Sequence, residues 1–173
     1  AVGHKVFRAN YQGDIGLHIA KAIWGIKKLG LPTKELNLEE KAKFLGQAYA
    51  EGNNTYDAEG EAKKEIDQIN AYLYQKDPSV KEIYQLTRDW SLQYFEPIYE
   101  LLGVKYDRCF FEGEVFEEGK REVLSHLGKV FEENEGAIIF SGEKYGLHSR
   151  VFITSAGHAT YEGNEIGLAK LEY

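Results

Sequence analysis

RVFITSAGHATYEGNEIGLAK, residues 150–170, has the pattern of a strand, a tight turn and a helix. Residues 151–153 are β-branched or aromatic, residues 155–157 have turn chemistry, and the apolar residues after Gly163 recur at helical spacing. The passage from a strand to a helix start is where α/β proteins present ligands to exposed backbone amides. The stretch therefore predicts an α/β fold with a ligand site at this junction.

Tyr161 and Glu165 are the candidate binding residues at that junction. They are four positions apart, so on a helix they share one face. A carboxylate beside a phenol hydroxyl suits a guanidinium or ammonium group, because the fork of donors needs acceptors in one plane. The alternative is an ordinary surface tyrosine and glutamate at a helix start, and spacing alone leaves both interpretations open.

Length and composition indicate one globular domain. The chain has 173 residues, of which 43% are apolar and 28% charged, and no apolar run approaches the length of a membrane span. A net charge of -7 argues against a surface built broadly for nucleic acid. The single Cys109 forms no internal disulfide, which is typical of a reducing compartment. These features predict a cytoplasmic protein with no membrane partner.

The N-terminal part predicts a strand followed by a helix. Residues 4–11 have strand character, and the helix begins with Asp14 as its N-cap and ends at Gly30. A strand, a glycine turn and a helix N-terminus together form a corner that can face an anion. The candidate residues of this ligand corner are Gly13, Asp14, Gly16 and His18. The Gly-Asp-Ile-Gly sequence is far looser than a nucleotide-binding fingerprint.

The middle of the chain predicts a helical block. Its helices cover about residues 37–51, 57–75 and 78–103. Gly52 is predicted to begin a loop after the first of them. In the last, Pro97 introduces a kink or Ser91 starts a new helix.

The C-terminal part returns to strands. Residues 104–111 have strand character and are followed by a break at Gly113. Residues 119–133 form a helix with Val123, Leu127, Val130 and Phe131 turned inward, and residues 137–140 form an apolar strand. The resulting division is 1–30 for the first strand–helix unit of a nucleotide-binding core, 31–103 for a helical insertion and 104–173 for the return to the α/β core.

Other catalytic patterns find little support. The five histidines do not recur at metal-ligand spacing and no cysteine pair accompanies them, so no metal site is predicted. Glu112 and Glu114 alternate on a strand face as paired carboxylates, or else belong to an acidic loop. The serines lack a nucleophile-elbow context, and no catalytic residue is assigned.

Several segments together resemble the catalytic domain of arginyl-tRNA synthetase, a class I aminoacyl-tRNA synthetase. They occur in the family's order: RANYQGDIGLH at 8–18, WSLQYFEPIYELLGVKYD at 90–107, RVFITS at 150–155, TY at 160–161 and IGLAK at 166–170. The resemblance implies a Rossmann-like core segment with a helical insertion. It also implies the reaction, in which ATP, with Mg²⁺, activates arginine as an adenylate and the arginyl group passes to tRNA.

The resemblance also assigns residues. In this family a tyrosine and an acidic residue four positions later hold the guanidinium, and the similar positions here are Tyr161 and Glu165, where the family more usually has aspartate. The segment 13–16 is similar to the one just beyond the first signature helix. The His-x-Gly-His and Lys-Met-Ser-Lys signatures are absent from the 173 residues.

The absent signatures predict an internal segment of the catalytic domain that is inactive alone. The first residue is Ala1 rather than methionine, which fits a piece of a longer chain or removal of an initiator methionine. The alternatives are a non-catalytic arginine-binding module, or a protein-docking module with an exposed apolar face around residues 94–102.

Overall fold

The computed structural model describes residues 3–58 and 60–172. They form two units: a helical unit of residues 3–8 and 13–107, and a mixed unit of residues 9–12 and 108–172.

The helical unit contains four long helices within the described residues. They are α1 (Leu17–Leu29), α2 (Leu38–Asp57), α3 (Glu61–Tyr74) and α4 (Pro78–Leu102). Asn37 begins α2 with a reciprocal pair of hydrogen bonds to Glu40, which is a capping box. Asp77 caps α4, and Pro78 occupies its first turn as predicted. Gly30 ends α1 with a φ of 76°.

The core of the helical unit depends on a close approach of α1 to α2. A Cβ on Gly25 would lie 1.9 Å from the Ala48 carbonyl oxygen, and a Cβ on Gly52 would lie 2.1 Å from that of Lys21. Only glycine permits this backbone separation. Apolar side chains of all four helices are buried, among them Ala20, Ile23, Ile26, Ala48, Ile66, Leu73 and Val80.

Two hydrogen bonds join Arg8 to Asp107 within the helical unit. The Arg8 N–H donates to the Asp107 carboxylate, and the Asp107 N–H donates to the Arg8 carbonyl, both at 2.8 Å. Arg8 comes directly before the first strand and Asp107 directly before the second.

Two expectations for the helical unit are wrong, and one of the two alternatives for its last helix is excluded. Gly16, with a φ of 112°, occupies the N-cap position of α1, so Asp14 does not cap this helix. α2 continues through Gly52, where a loop was expected, because Gly52 packs on the Lys21 backbone. α4 is one continuous helix containing Pro97, so Ser91 does not start a new one.

The mixed unit contains two small sheets and two helices. β1 (Ala9–Gln12) pairs in parallel with β2 (Arg108–Phe111), and Gln12 lies opposite Phe111. β3 (Glu132–Asn134), β4 (Ala137–Phe140) and β5 (Arg150–Ile153) form an antiparallel sheet. The helices are α5 (Glu112–Ser125) and α6 (Tyr161–Glu172), and a short 3-10 helix (Gly142–Tyr145) lies between β4 and β5.

Apolar side chains hold the mixed unit together in two clusters. One consists of Val123, Phe131, Ile138 and Ile153, and the other of Phe110, Val115 and Leu168, against which Tyr11 packs. α5 and α6 approach closely, since a Cβ on Gly119 would lie 2.1 Å from the Gly163 carbonyl oxygen. This contact fixes the start of α6 against the middle of α5.

The expected strand and helix bounds are partly wrong here. β1 begins at Ala9 rather than His4, and α5 begins at Glu112, so Gly113 lies in its first turn. Glu112 and Glu114 are therefore neither on a strand face nor in an acidic loop. Leu127 and Val130 are exposed by 42% and 49% rather than turned inward, because α5 ends at Ser125. The mixture of strands with a helical block confirms the predicted α/β class, while the bounds 1–30, 31–103 and 104–173 stay predictions.

Candidate functional site

The first turn of α6 holds the two predicted binding residues in place. The Thr160 hydroxyl donates to the Val151 carbonyl of β5 at 2.7 Å and accepts from the Gly163 N–H at 3.3 Å. The second contact is that of a helix N-cap. Thr160 thus ties the start of α6 to β5, and Tyr161 follows immediately.

Tyr161 and Glu165 lie on one face of α6, as their spacing predicted. The Tyr161 hydroxyl donates a hydrogen bond to the Glu165 carboxylate. This bond and the charge of Glu165 raise the pKa of Tyr161, and burial and the charge of Glu112 act in the same direction. Tyr161 is 62% exposed, so the pair faces solvent.

Two further residues that the sequence did not assign to this site lie beside the pair. Tyr11 of β1 places its ring 6.2 Å from the Tyr161 ring. Glu112 follows β2 directly and is close enough to Tyr161 for its charge to affect the hydroxyl. Because β1 and β2 are parallel, their carboxyl ends meet at one edge of the sheet, where ligands of α/β proteins bind. Correct pairing of the two strands would have revealed both residues.

We call Tyr11, Glu112, Tyr161 and Glu165 the tyrosine–glutamate cluster. It combines two carboxylates with two phenol groups within the mixed unit. Carboxylates accept only and phenol oxygens both accept and donate, so the cluster is rich in acceptors and negatively charged. Such an arrangement favours a cation with several N–H donors.

The predicted ligand corner has a different character. Asp14 is buried at 6% exposure, and its carboxylate accepts from the Tyr84 hydroxyl at 2.6 Å and lies 3.5 Å from Arg88 Nε. Burial, with the Asp14 hydrogen bond and charge, raises the pKa of Tyr84. Asp14 therefore contributes to the packing of the segment before α1 against α4, and a ligand role for it stays a prediction.

The other corner residues differ in exposure: Gly13 and His18 are exposed, and Gly16 is buried. His18 is exposed, and its Nε2 lies 3.5 Å from the Gly13 carbonyl oxygen. Gly16 has a positive φ of 112° that strongly favours glycine. A ligand role for Gly13, Gly16 and His18 stays a prediction.

The described residues also limit other functions. Within residues 3–58 and 60–172, no three His, Cys, Asp or Glu side chains are grouped so that they could hold a metal ion. No helix in that part of the chain is long and apolar enough to cross a membrane. Exposed apolar side chains do occur at the predicted docking face, including Leu101 and Leu102 at 85% and 66% exposure.

Comparison with known proteins gives a consistent family. The family of class I (R) tRNA synthetases, catalytic domain, matches residues 1–173. An arginine–tRNA ligase of Borreliella afzelii is 30% identical over 96% of this chain and 30% of its own length. One from Bacteroides fragilis is 26% identical over 100% of this chain and 32% of its own length. This chain thus spans about a third of the curated relatives it matches.

Solved structures share the fold. An arginyl-tRNA synthetase of Plasmodium falciparum superposes with a TM-score of 0.67 at 19% identity, over 94% of this chain and 27% of that one. A putative arginyl-tRNA synthetase of Campylobacter jejuni gives 0.55 at 17% identity, over 99% of this chain and 37% of that one. With the family match along its whole length, the chain belongs to the catalytic-domain family of class I arginyl-tRNA synthetases.

Proposed function

We propose that this chain is the part of an arginine–tRNA ligase catalytic domain that binds the arginine side chain. The observation that supports this most is the hydrogen-bonded pair of Tyr161 and Glu165, with Glu112 and Tyr11 beside it. The arginine–tRNA ligases among its relatives supply the substrate class.

In this proposal the guanidinium lies against Glu165 and Tyr161. The Glu165 carboxylate accepts two parallel N–H bonds from the planar fork, and the Tyr161 oxygen accepts a third while its own hydrogen stays with Glu165. Glu112 adds negative charge without having to touch the ligand. The Tyr11 ring limits rotation of the Tyr161 ring, so the acceptors are held ready before arginine arrives.

The proposed reaction is that of the whole ligase. The arginine carboxylate attacks the α-phosphorus of ATP, with pyrophosphate as leaving group, and the arginyl group then passes to the terminal ribose of tRNA, with Mg²⁺ accompanying ATP. The 173 residues contain neither signature sequence that stabilises the phosphates. We therefore expect the isolated chain to bind arginine without activating it. The proposed place of action is the cytoplasm, which suits a sequence whose single cysteine cannot form an internal disulfide.

Nuclear magnetic resonance titration of the ¹⁵N-labelled chain tests the proposal. Arginine should shift the amide signals of Tyr161 and Glu165. Citrulline, whose side chain is uncharged, should not. Glu165→Gln should weaken arginine binding about tenfold or more, because the guanidinium loses its ion pair with a carboxylate and keeps only a hydrogen bond to a neutral amide. The matched control Glu133→Gln, at an exposed position of β3, should leave the affinity unchanged.

Equal binding of citrulline and arginine, or an unchanged affinity after Glu165→Gln, would contradict the proposal. Pyrophosphate exchange distinguishes the alternatives. Exchange by the longer chain that contains this segment supports a ligase, whereas arginine binding with no exchange by that chain supports a non-catalytic arginine-binding module.

A further inference from the structure

Asn164 is a buried polar residue with an unused acceptor. Its side chain is 4% exposed, and its Oδ1 is shielded from solvent. No donor among residues 3–58 and 60–172 forms a hydrogen bond with this oxygen. Buried polar atoms in native proteins nearly always have a partner, so such an oxygen calls for an explanation.

Asn164 lies on the same face of α6 as two members of the tyrosine–glutamate cluster. Tyr161, Asn164, Glu165 and Leu168 follow at intervals of three and four residues, so they share one face of α6. At the far end of this face, Leu168 packs against Phe110 and Val115, together with Tyr11. Helical side chains lean toward the N-terminus, so the Asn164 amide leans toward Tyr161 rather than toward Leu168.

We propose that Asn164 is a specificity-determining residue whose Oδ1 accepts a hydrogen bond from the guanidinium of bound arginine. The inference rests on the proposed function of this site. A guanidinium has five N–H donors, and each must find an acceptor once water is removed. Glu165 accepts two and the Tyr161 oxygen one, which leaves two donors for other acceptors.

A neutral acceptor suits this place. Glu165 already balances the charge of the ligand. A further buried carboxylate would repel the Glu165 carboxylate and would be costly to desolvate. The Tyr161 ring is 62% exposed, so a ligand can approach this face of α6 from solvent. A lysine ammonium has only three donors in a compact group, and Glu165, Tyr161 and water satisfy them. Asn164 therefore discriminates for a guanidinium against an ammonium.

Titrations of arginine and lysine into variants of the chain test the inference. Asn164→Leu keeps the branching and the number of side-chain heavy atoms but removes the acceptor, and it should weaken arginine binding about tenfold while changing lysine binding less than about twofold. The matched control Asn134→Leu, at an exposed position of β3, should change neither. Unchanged arginine binding by Asn164→Leu would mean that an internal water alone satisfies Oδ1, and an equal loss for both ligands would mean a purely structural role. Either result overturns the inference.

The same experiments distinguish this inference from the proposed function. If the wild-type chain does not prefer arginine to citrulline, the proposed function fails and the inference with it. If the preference exists but Asn164→Leu retains full arginine affinity, only the inference fails. Should Asn164→Leu not fold, the side-chain amide signal of Asn164 in the wild-type chain decides. We expect it to shift with arginine and not with lysine, and an unmoved signal at saturating arginine would overturn the inference.

Discussion

Among single side chains, Asp14 shows how a distant contact overrides a local preference. The residue type and position suit a helix N-cap. Instead, the Asp14 carboxylate accepts a hydrogen bond at 2.6 Å from the hydroxyl of Tyr84, 70 positions away. A buried carboxylate that lost such a donor would be left under-satisfied at high energetic cost. The Tyr84–Asp14 bond is therefore a fixed part of the helical unit.

Tyr84→Phe should lower the free energy of unfolding by about 1–3 kcal/mol, because it leaves the buried Asp14 carboxylate with one donor fewer. Tyr56→Phe is the matched control. The Tyr56 hydroxyl also donates to an aspartate, Asp67 at 3.0 Å, but that bond is exposed. Its loss should lower the free energy by less than about 1 kcal/mol. Urea denaturation followed by circular dichroism measures both, and equal effects would contradict the prediction.

His158 predicts a dependence of stability on pH. Burial, with a smaller effect from the charge of Lys120, lowers the pKa of His158 below its ordinary value of 6.5. Below that value the unfolded chain binds a proton that the folded chain does not, so stability is full above pH 6.5 and falls as the pH falls. His158→Gln should flatten this part of the profile. Thermal unfolding between pH 7.5 and 5.5 checks it, and an identical slope in the variant would contradict it.

The candidate site could be predicted from the sequence only where its contacts are local. Tyr161 and Glu165 are one helical turn apart, so spacing alone places them together. Tyr11 and Glu112 join them through a parallel strand pair about a hundred positions apart in the chain, and no local pattern reports that pairing. The unsatisfied oxygen of Asn164 is likewise invisible before the packing of α6 is known.

Among the helices and strands, glycines control how closely neighbouring helices approach. Gly25 of α1 faces the Ala48 backbone, whereas Gly46 of α2 has no atom within 4 Å of an added Cβ. Sequence reasoning treats every helical glycine as a weak point or a loop start, which is why α2 was expected to end before Gly52. Only the packing of α1 on α2 distinguishes a glycine required by a close helix contact from one that merely weakens its helix.

Gly25→Ala should lower the free energy of unfolding by at least about 2 kcal/mol, because its Cβ would overlap the Ala48 carbonyl and force the helices apart. Gly46→Ala should instead raise it by about 0.5–1 kcal/mol, since alanine favours a helix more than glycine does. The two substitutions add the same methyl group and differ only in their surroundings. Urea denaturation should therefore give opposite signs, and the same sign for both would contradict the proposed close approach.

For the whole molecule, the order of the chain differs from the order of its units. β1 belongs to the mixed unit, yet in sequence it lies between the two parts of the helical unit, residues 3–8 and 13–107, and its partner β2 comes after them. The α/β class and the helical block were readable from periodicity. The assignment of β1 to the mixed unit could not be predicted in this way. Parallel strands pair through long-range contacts, which local hydrophobic patterns do not indicate.

Deleting residues 1–12 should destabilise the mixed unit more than the helical unit. The deletion removes the whole of β1 from its pairing with β2, and from the helical unit it removes the two hydrogen bonds between Arg8 and Asp107. Hydrogen exchange should show faster exchange in β2, α5 and α6, with α1 to α4 remaining protected. A uniform loss of protection across both units would contradict this assignment of β1.

The hydrogen bonds between Arg8 and Asp107 have a consequence for the nascent chain. At a translation rate of about 5–20 residues per second, β1 leaves the ribosome roughly 5–20 s before β2 is made. Bringing two points 99 residues apart together carries an entropic penalty of about 4 kcal/mol from chain length alone. If the helical unit folds during translation, its folding brings Arg8 next to Asp107. The free energy of that folding then offsets the entropic penalty before β2 is complete. The second strand then emerges next to its waiting partner, and the time during which β1 offers an open edge to other nascent chains is shortened.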